Sequence, residues 1–365
     1  MRKRVQGLNR LLLGVAVTLL ACGSAQAEPY LAAKTGLKCG TCHVNATGGG
    51  MRTPFGNSWA QTSLPVEPHA PDKAAWTGQL GEYFAAGGNL RASAVQQDVP
   101  NADTSNAFEL EEARVYLGFS PVPGRVDVYI DQYLGPGGSL NREAYARLRT
   151  ADQAWYLKAG QFYLPFGWRL EDDSAFVRTA SGINMTTPDR GVELGWETAA
   201  WSTQLAVSNG TAGGAEVDTG KQFSARTERL FGSWRLGASL NLNDTELGDR
   251  QMSALHAAVR TGSVTWLAEV DFIDDETVAG EPAQQAWLLE ANWEARRGHN
   301  LKLTAEQFEP DDGVSGDEQE RISLVWEYSP LAFTQLRLGL RDYSGPAAND
   351  LANRSELFVQ LHGFY

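Results

Sequence analysis

Cysteine is scarce: three in 365 residues, of which Cys22 falls in a removable-looking leader and Cys39 and Cys42 are separated only by Gly40-Thr41. That leaves nothing for a disulfide-stapled scaffold. Basic residues are also short, 31 Lys and Arg against 44 Asp and Glu, for a formal charge of -13. No nucleic-acid partner is expected, because phosphate binding needs a basic face. An acidic surface attracts cations instead. Beyond the leader there is no run of the roughly 18 apolar residues that a spanning helix needs. A membrane protein with such a chain has to be a barrel, which crosses with strands.

The leader is Met1-Arg2-Lys3-Arg4, an apolar stretch from Leu11 to Ala21, and Ala25-Gln26-Ala27. A positive start, a short apolar core and small residues predict an export signal over 1–27, cut before Glu28. Leu19-Leu20-Ala21-Cys22 offers a competing lipoprotein reading, with Cys22 lipidated.

After the leader comes Cys39-Gly40-Thr41-Cys42-His43, the CxxCH form of covalent haem attachment. Two intervening residues let one short turn carry both thiols to the two vinyl groups of a porphyrin, with the next imidazole under the iron. A plain disulfide or half of a zinc site does not need histidine at that place. The motif predicts one haem c bound by Cys39, Cys42 and His43, with His43 as proximal iron ligand. Met51, past Gly48-Gly49-Gly50, and His69, between Pro68 and Pro71, are both candidates for the sixth position. A thioether there raises the reduction potential relative to a second imidazole. Arg52 is a candidate partner for a haem propionate, and Phe55 and Trp59 are candidate apolar walls.

From about position 78 the pattern changes to period two. Trp287, Leu289, Ala291, Trp293 and Ala295 interleave with Leu288, Glu290, Asn292 and Glu294. Val264, Trp266, Ala268, Val270 and Phe272 alternate with Thr265, Leu267, Glu269 and Asp271. The whole region divides into about 16 such segments, mostly long enough to cross a bilayer when tilted. Their connections alternate. Short ones fall at Ser120 to Gly124, Gly232, Gly262, Arg297-Gly298 and Ser329 to Leu331; long ones fall at 98–105, 164–188 and 274–283, among others. The last segment carries Leu357, Val359, Leu361 and a terminal Tyr365 on one face. These features predict an all-β, transmembrane antiparallel β-barrel over 78–365, following a small haem segment over 28–77. A soluble sandwich gives no reason for short and long connections in strict turn.

In such a barrel the charged faces line the lumen. Glu112, Arg114, Asp127, Asp131, Glu290, Glu294, Lys302, Glu306, Arg337 and Arg341 are expected inside. Their mixed signs on neighbouring strands predict cross-strand pairs. The loop 164–188, with Glu171-Asp172-Asp173, is expected either inside as a constriction or outside. The other long loops are acidic, as at Asp274-Asp275-Glu276, and read as a solubilising rim.

Two resemblances follow from these motifs. The stretch Thr35-Gly36-Leu37-Lys38 through His43, followed by Pro54-Phe55-Gly56, resembles the N-terminal segment of fused monohaem cytochrome–porins of the outer membrane. Leu157-Lys158-Ala159-Gly160-Gln161-Phe162-Tyr163-Leu164-Pro165-Phe166-Gly167 and Asp189-Arg190-Gly191-Val192-Glu193-Leu194 resemble phosphate-selective porins. The first resemblance implies a haem segment inside the barrel and an outer-membrane location. It also implies electron transfer from an extracellular donor, Fe(II), to a periplasmic c-type cytochrome, with Fe(II) oxidase activity. A solute or anion porin with an accessory haem, or a conduit with another donor or acceptor, is the alternative. Size argues for the fusion on its own: about 50 residues around a haem bury little core. A wide barrel, for its part, leaves a lumen that wall side chains do not fill.

Overall fold

Period-two alternation does become strand along the chain, in a computed structural model that describes residues 28–365 except 71–72, 136, 184–186 and 217. The export signal and Cys22 lie outside the described residues. Sixteen strands run in order: β1 (Phe84–Asp98), β2 (Ser105–Val122), β3 (Val126–Tyr133), β4 (Leu140–Arg149), β5 (Trp155–Phe162), β6 (Asp189–Glu197), β7 (Trp201–Ser208) and β8 (Gln222–Phe231). They continue as β9 (Trp234–Thr245), β10 (Gly248–Thr261), β11 (Val264–Asp275), β12 (Ala283–Arg296), β13 (His299–Glu309), β14 (Gln319–Tyr328), β15 (Thr334–Ser344) and β16 (Ser355–Phe364). Each pairs antiparallel with its neighbours, and β16 pairs with β1 to close the barrel, from Asn89 opposite Phe364 to Asp98 opposite Ser355. Closure leaves no free edge to satisfy. The seam is tightened by reciprocal backbone bonds between Gly88 and Tyr365, at 2.9 and 3.0 Å.

The outward face is apolar. Leu157, Leu194, Leu289, Leu303, Leu324 and Leu340 are all exposed on it, an area that water would penalise and lipid would not. Aromatic clusters gather at the short-turn end: Trp196 lies 6.1 Å from Trp155 and 6.5 Å from Trp201, and Trp326 stacks on Tyr328 at 5.6 Å. Such rings suit the boundary between hydrocarbon and water.

The inward face pairs its charges, as the mixed signs predict. Arg91 meets Glu112 at 2.8 Å, Glu112 meets Arg114 at 2.6 Å, and Arg114 meets Asp131 on the next strand. Lys158 meets Glu193 at 2.8 Å. Glu112, Arg114, Asp131, Glu290, Lys302, Glu306 and Arg337 are buried in the lumen, while Asp127, Glu294 and Arg341 are half-buried. The face is not polar throughout, however. Ala258, Leu267, Ala286 and Leu288 form a dry patch on β10–β12.

Two segments fill the lumen. The first is the N-terminal plug of three helices, α1 (Pro29–Thr35), α2 (Cys39–Cys42) and α3 (Pro54–Thr62). Pro29 opens α1, and Gly36 ends it in the left-handed region at φ 70°, its N–H reaching back to the helix. Thr53 caps α3 by accepting from the Gly56 N–H, with Pro54 in the first turn. The plug sits at the short-turn end, tied there by Lys34–Glu294 at 2.6 Å, by Arg260 to the Lys34 carbonyl at 3.1 Å, and by Val66 N–H to the Ser329 carbonyl at 2.9 Å.

The second is the long loop after β5. It folds inward, which decides the alternative that the sequence leaves open. Phe166, Trp168, Leu170 and Val177 are buried, and a helix, α4 (Phe176–Ser181), lies within it. Its acidic run is held by lumen arginines: Arg337 to Glu171 at 2.9 Å, Arg321 and Arg341 to Asp172 at 2.9 and 3.0 Å. Strand β1 begins at Phe84, later than the expected 78, because 78–83 turn back on the barrel rim, where Gln79 bridges Ala85.

Candidate functional site

The backbone of Cys39-Gly40-Thr41-Cys42 winds into the single turn α2, with His43 N–H donating to the Cys39 carbonyl at 3.0 Å. Winding puts both thiols and the following imidazole at one place. Helix α3 packs directly on this turn. A Cβ at Gly56 would lie 2.2 Å from the Cys42 carbonyl oxygen, so only glycine allows the approach. Thr53 adds a second tie, its N–H donating to the Cys42 carbonyl at 3.0 Å and its hydroxyl to the Thr41 carbonyl at 2.7 Å.

Cys39, Cys42 and His43 line one cleft, open on one side, with about 610 Å³ of empty space including the solvent at its mouth. Leu31, Ala32, Trp59, Ala60, Leu64 and Phe364 supply apolar walls. Arg52 and Arg169 supply positive charge, and Arg52 lies 3.9 Å from the centre of the Phe364 ring. Both thiols are free, Cys39 buried and Cys42 half-buried. Arg235, from β9, donates to the Cys39 sulfur at 3.7 Å. Burial, with Cys39 beside it, pushes the Cys42 thiol up to about 11.

His43 is 3 % exposed, yet neither ring nitrogen has a hydrogen-bond partner in the protein. The Gly49 and Gly50 backbone is close enough to act on its charge but outside bonding geometry. Burial, then Arg52 and Arg169, push its pKa down to about 3. The imidazole is therefore neutral at physiological pH, the form that ligates a metal. A buried ring with two unsatisfied nitrogens is costly without a further partner. This donor set fits a c-type haem: two thiols for the vinyls, one imidazole for the iron, apolar walls for the macrocycle, and cations for its carboxylates.

Of the candidate residues, the structure brings Cys39, Cys42, His43, Arg52 and Trp59 together and leaves three apart. His43 and Arg52 are bridged antiparallel partners, both directed to the cleft. Their neighbours Val44 and Met51 therefore point the other way. Met51 packs on the barrel wall, where a Cβ at Gly118 would come within 2.8 Å of its methyl. His69 is outside the cleft, its Nε2 3.2 Å from the Lys73 carbonyl. Neither lines the cleft that holds His43. Phe55 is 48 % exposed in the first turn of α3 and is not a wall of the cleft. Arg169 and Phe364 are cleft residues, and Arg235 a neighbour of Cys39, that the sequence does not reveal, since each is brought in by the barrel wall or by the inner loop.

A polar vestibule of about 1210 Å³ opens at the long-loop end, between Arg91, Arg341 and Arg354 and the carboxylates Glu109, Asp172 and Glu356. The inner loop, with its Glu171 and Asp172 ion pairs, stands between this vestibule and the plug.

No protein-family model matches the chain, and no curated protein sequence matches it. Solved structures do. The fold is similar to an anion-selective porin from Comamonas acidovorans, with TM-score 0.61 and 11% identity over 77% of this chain and 99% of that one. It is similar to OmpT, an outer-membrane protein of Vibrio cholerae, with TM-score 0.58 and 11% identity over 79% and 99%. Salmonella typhi OmpF, solved with daunomycin, gives TM-score 0.61 and 12% identity over 77% and 97%. The architecture is thus the closed 16-stranded barrel of the outer-membrane porins.

Proposed function

We propose that this chain is an outer-membrane electron-transfer protein carrying one haem c, taking electrons from an extracellular reductant, Fe(II) foremost, and passing them to a periplasmic c-type cytochrome. The observation that carries this reading is the convergence of two free thiols and a neutral, unpartnered imidazole on one apolar-walled cleft. The haem, when bound, supplies a one-electron Fe(III)/Fe(II) couple. Cys39 and Cys42 would hold it through thioethers, and His43 would ligate its iron. Leu31 of α1, Trp59 of α3 and Phe364 of the lumen wall would supply apolar walls to the couple. The acidic long loops concentrate a divalent cation at the outer end. The apolar outer belt supports placement in outer-membrane lipid.

A second reading, a solute or anion porin with an accessory haem, draws on the likeness to porins and on the arginine-bearing vestibule. It predicts a steady ion current through the haem-loaded protein in a planar bilayer. The electron-transfer reading predicts that Fe(II), titrated into outer-membrane fractions, produces the reduced haem spectrum. Failure of Fe(II) to reduce the haem at any reasonable pH removes the iron donor. Absence of a peroxidase-active band on a denaturing gel, from cells with working haem maturation, removes the cofactor.

A further inference from the structure

We propose that Arg169, delivered by the inward-folded loop, is the clamp for a propionate carboxylate of the haem, so that the barrel's constriction is fastened to the cofactor of the plug. This rests on the haem reading of the cleft. Arg169 is 7 % exposed, and its Nε and one terminal nitrogen lack a hydrogen-bond partner. A buried guanidinium in that state is missing an acceptor. Among the described residues its paired carboxylate is Glu143, at 3.6 Å, beyond hydrogen-bond reach, and Glu143 already accepts from Asn45 at 2.8 Å.

The guanidinium is aimed. It lies 4.3 Å from the centre of the Tyr163 ring and lines the same cleft as both thiols and His43. It passes close over the plug, since a Cβ at Gly49 would lie 2.8 Å from its Nε. Its backbone is fixed on the N-terminal side. Trp168 N–H donates to Glu269 at 2.6 Å, the Trp168 indole N–H to the Ala268 carbonyl at 3.1 Å, and Arg178 to the Trp168 carbonyl at 3.0 Å. Gly167 permits this anchor, because any Cβ there would meet the Glu269 carboxylate at 1.8 Å. An apolar cleft with guanidinium groups on its rim is complementary to a flat apolar macrocycle bearing two carboxylates. Arginine's planar fork takes a carboxylate through two parallel bonds, which lysine does not reproduce.

The test uses full-length, haem-loaded protein in outer-membrane fractions, read by redox titration and by the propionate bending band of the resonance Raman spectrum. Arg169→Gln is expected to keep the haem-stained band and the folded gel mobility, and to alter the propionate band. Loss of a cation beside the couple favours the oxidised form, with an expected shift of about tenfold, or about 59 mV for one electron. Arg169→Lys is expected to restore the potential in part but not the band. Haem in both proteins with an unchanged band overturns the clamp, even where the potential moves through space. If Arg169→Gln loses its folded mobility, Arg169→Lys decides, and an unchanged band in it overturns the clamp. No haem in the parent protein overturns the haem reading itself, and the clamp with it.

Discussion

The barrel and the plug are held by different physics. The barrel is repetitive and local: each strand pairs with its neighbours, lipid-type residues face out, and charges face in as cross-strand pairs. The plug has three helices of seven, four and nine residues, too short to be stable alone. It borrows its core. Tyr30, Leu31 and Ala33 of α1 pack on Ala258, Leu267, Ala286 and Leu288 of the wall, and Trp168 and Leu170 of the inner loop join them. The lesson is that the lumen is divided, charged where the wall pairs with itself and dry where it receives the plug.

Mutations break this comparison in graded ways. The largest effect is expected from replacing both thiols. Cys39→Ala with Cys42→Ala abolishes haem staining while the heat-modifiable gel mobility of the barrel persists. Simultaneous loss of the barrel would show that the two parts are not separable. Next is Arg114→Ala, which leaves Asp131 buried and unpaired at a cost of about 3–5 kcal/mol. Denaturant unfolding in detergent checks it, and Asp131→Asn in the same chain is expected to return much of the loss. The smallest is Phe55→Ser, an exposed plug residue, with an expected change within about 0.5 kcal/mol and an unaltered haem spectrum. A spectral shift there would place Phe55 against the macrocycle after all.

Much of the barrel was legible because its information is local. The alternation over Val264 to Phe272 falls in β11, which starts at Val264 itself, and that over Trp287 to Ala295 falls in β12. The alternation of short and long connections was legible for the same reason. The interior was less legible. The hidden variable at Met51 was the hairpin that pairs His43 with Arg52; counting positions along a flexible glycine run does not reveal on which side a side chain falls. Leu288 and Leu267 read as members of a polar face, because nothing in their strands announces that α1 will cover them. Arg169 was invisible for a similar reason, being 126 positions beyond His43 in the sequence numbering and brought near only by the infolded loop. Nonlocal contacts carry no periodic signal.

The seam between the first and last strands has a consequence for the order of events in the cell. Phe364 lines the cleft and carries Arg52 on its ring, while Tyr365 locks to Gly88. The pocket is therefore finished by the same residues that shut the cylinder, and Cys39 is then buried. On the proposed haem reading, thioether chemistry at Cys39 would come first, on an open chain. Protein that shuts without its porphyrin is expected to stay colourless when porphyrin and attachment machinery are supplied afterwards.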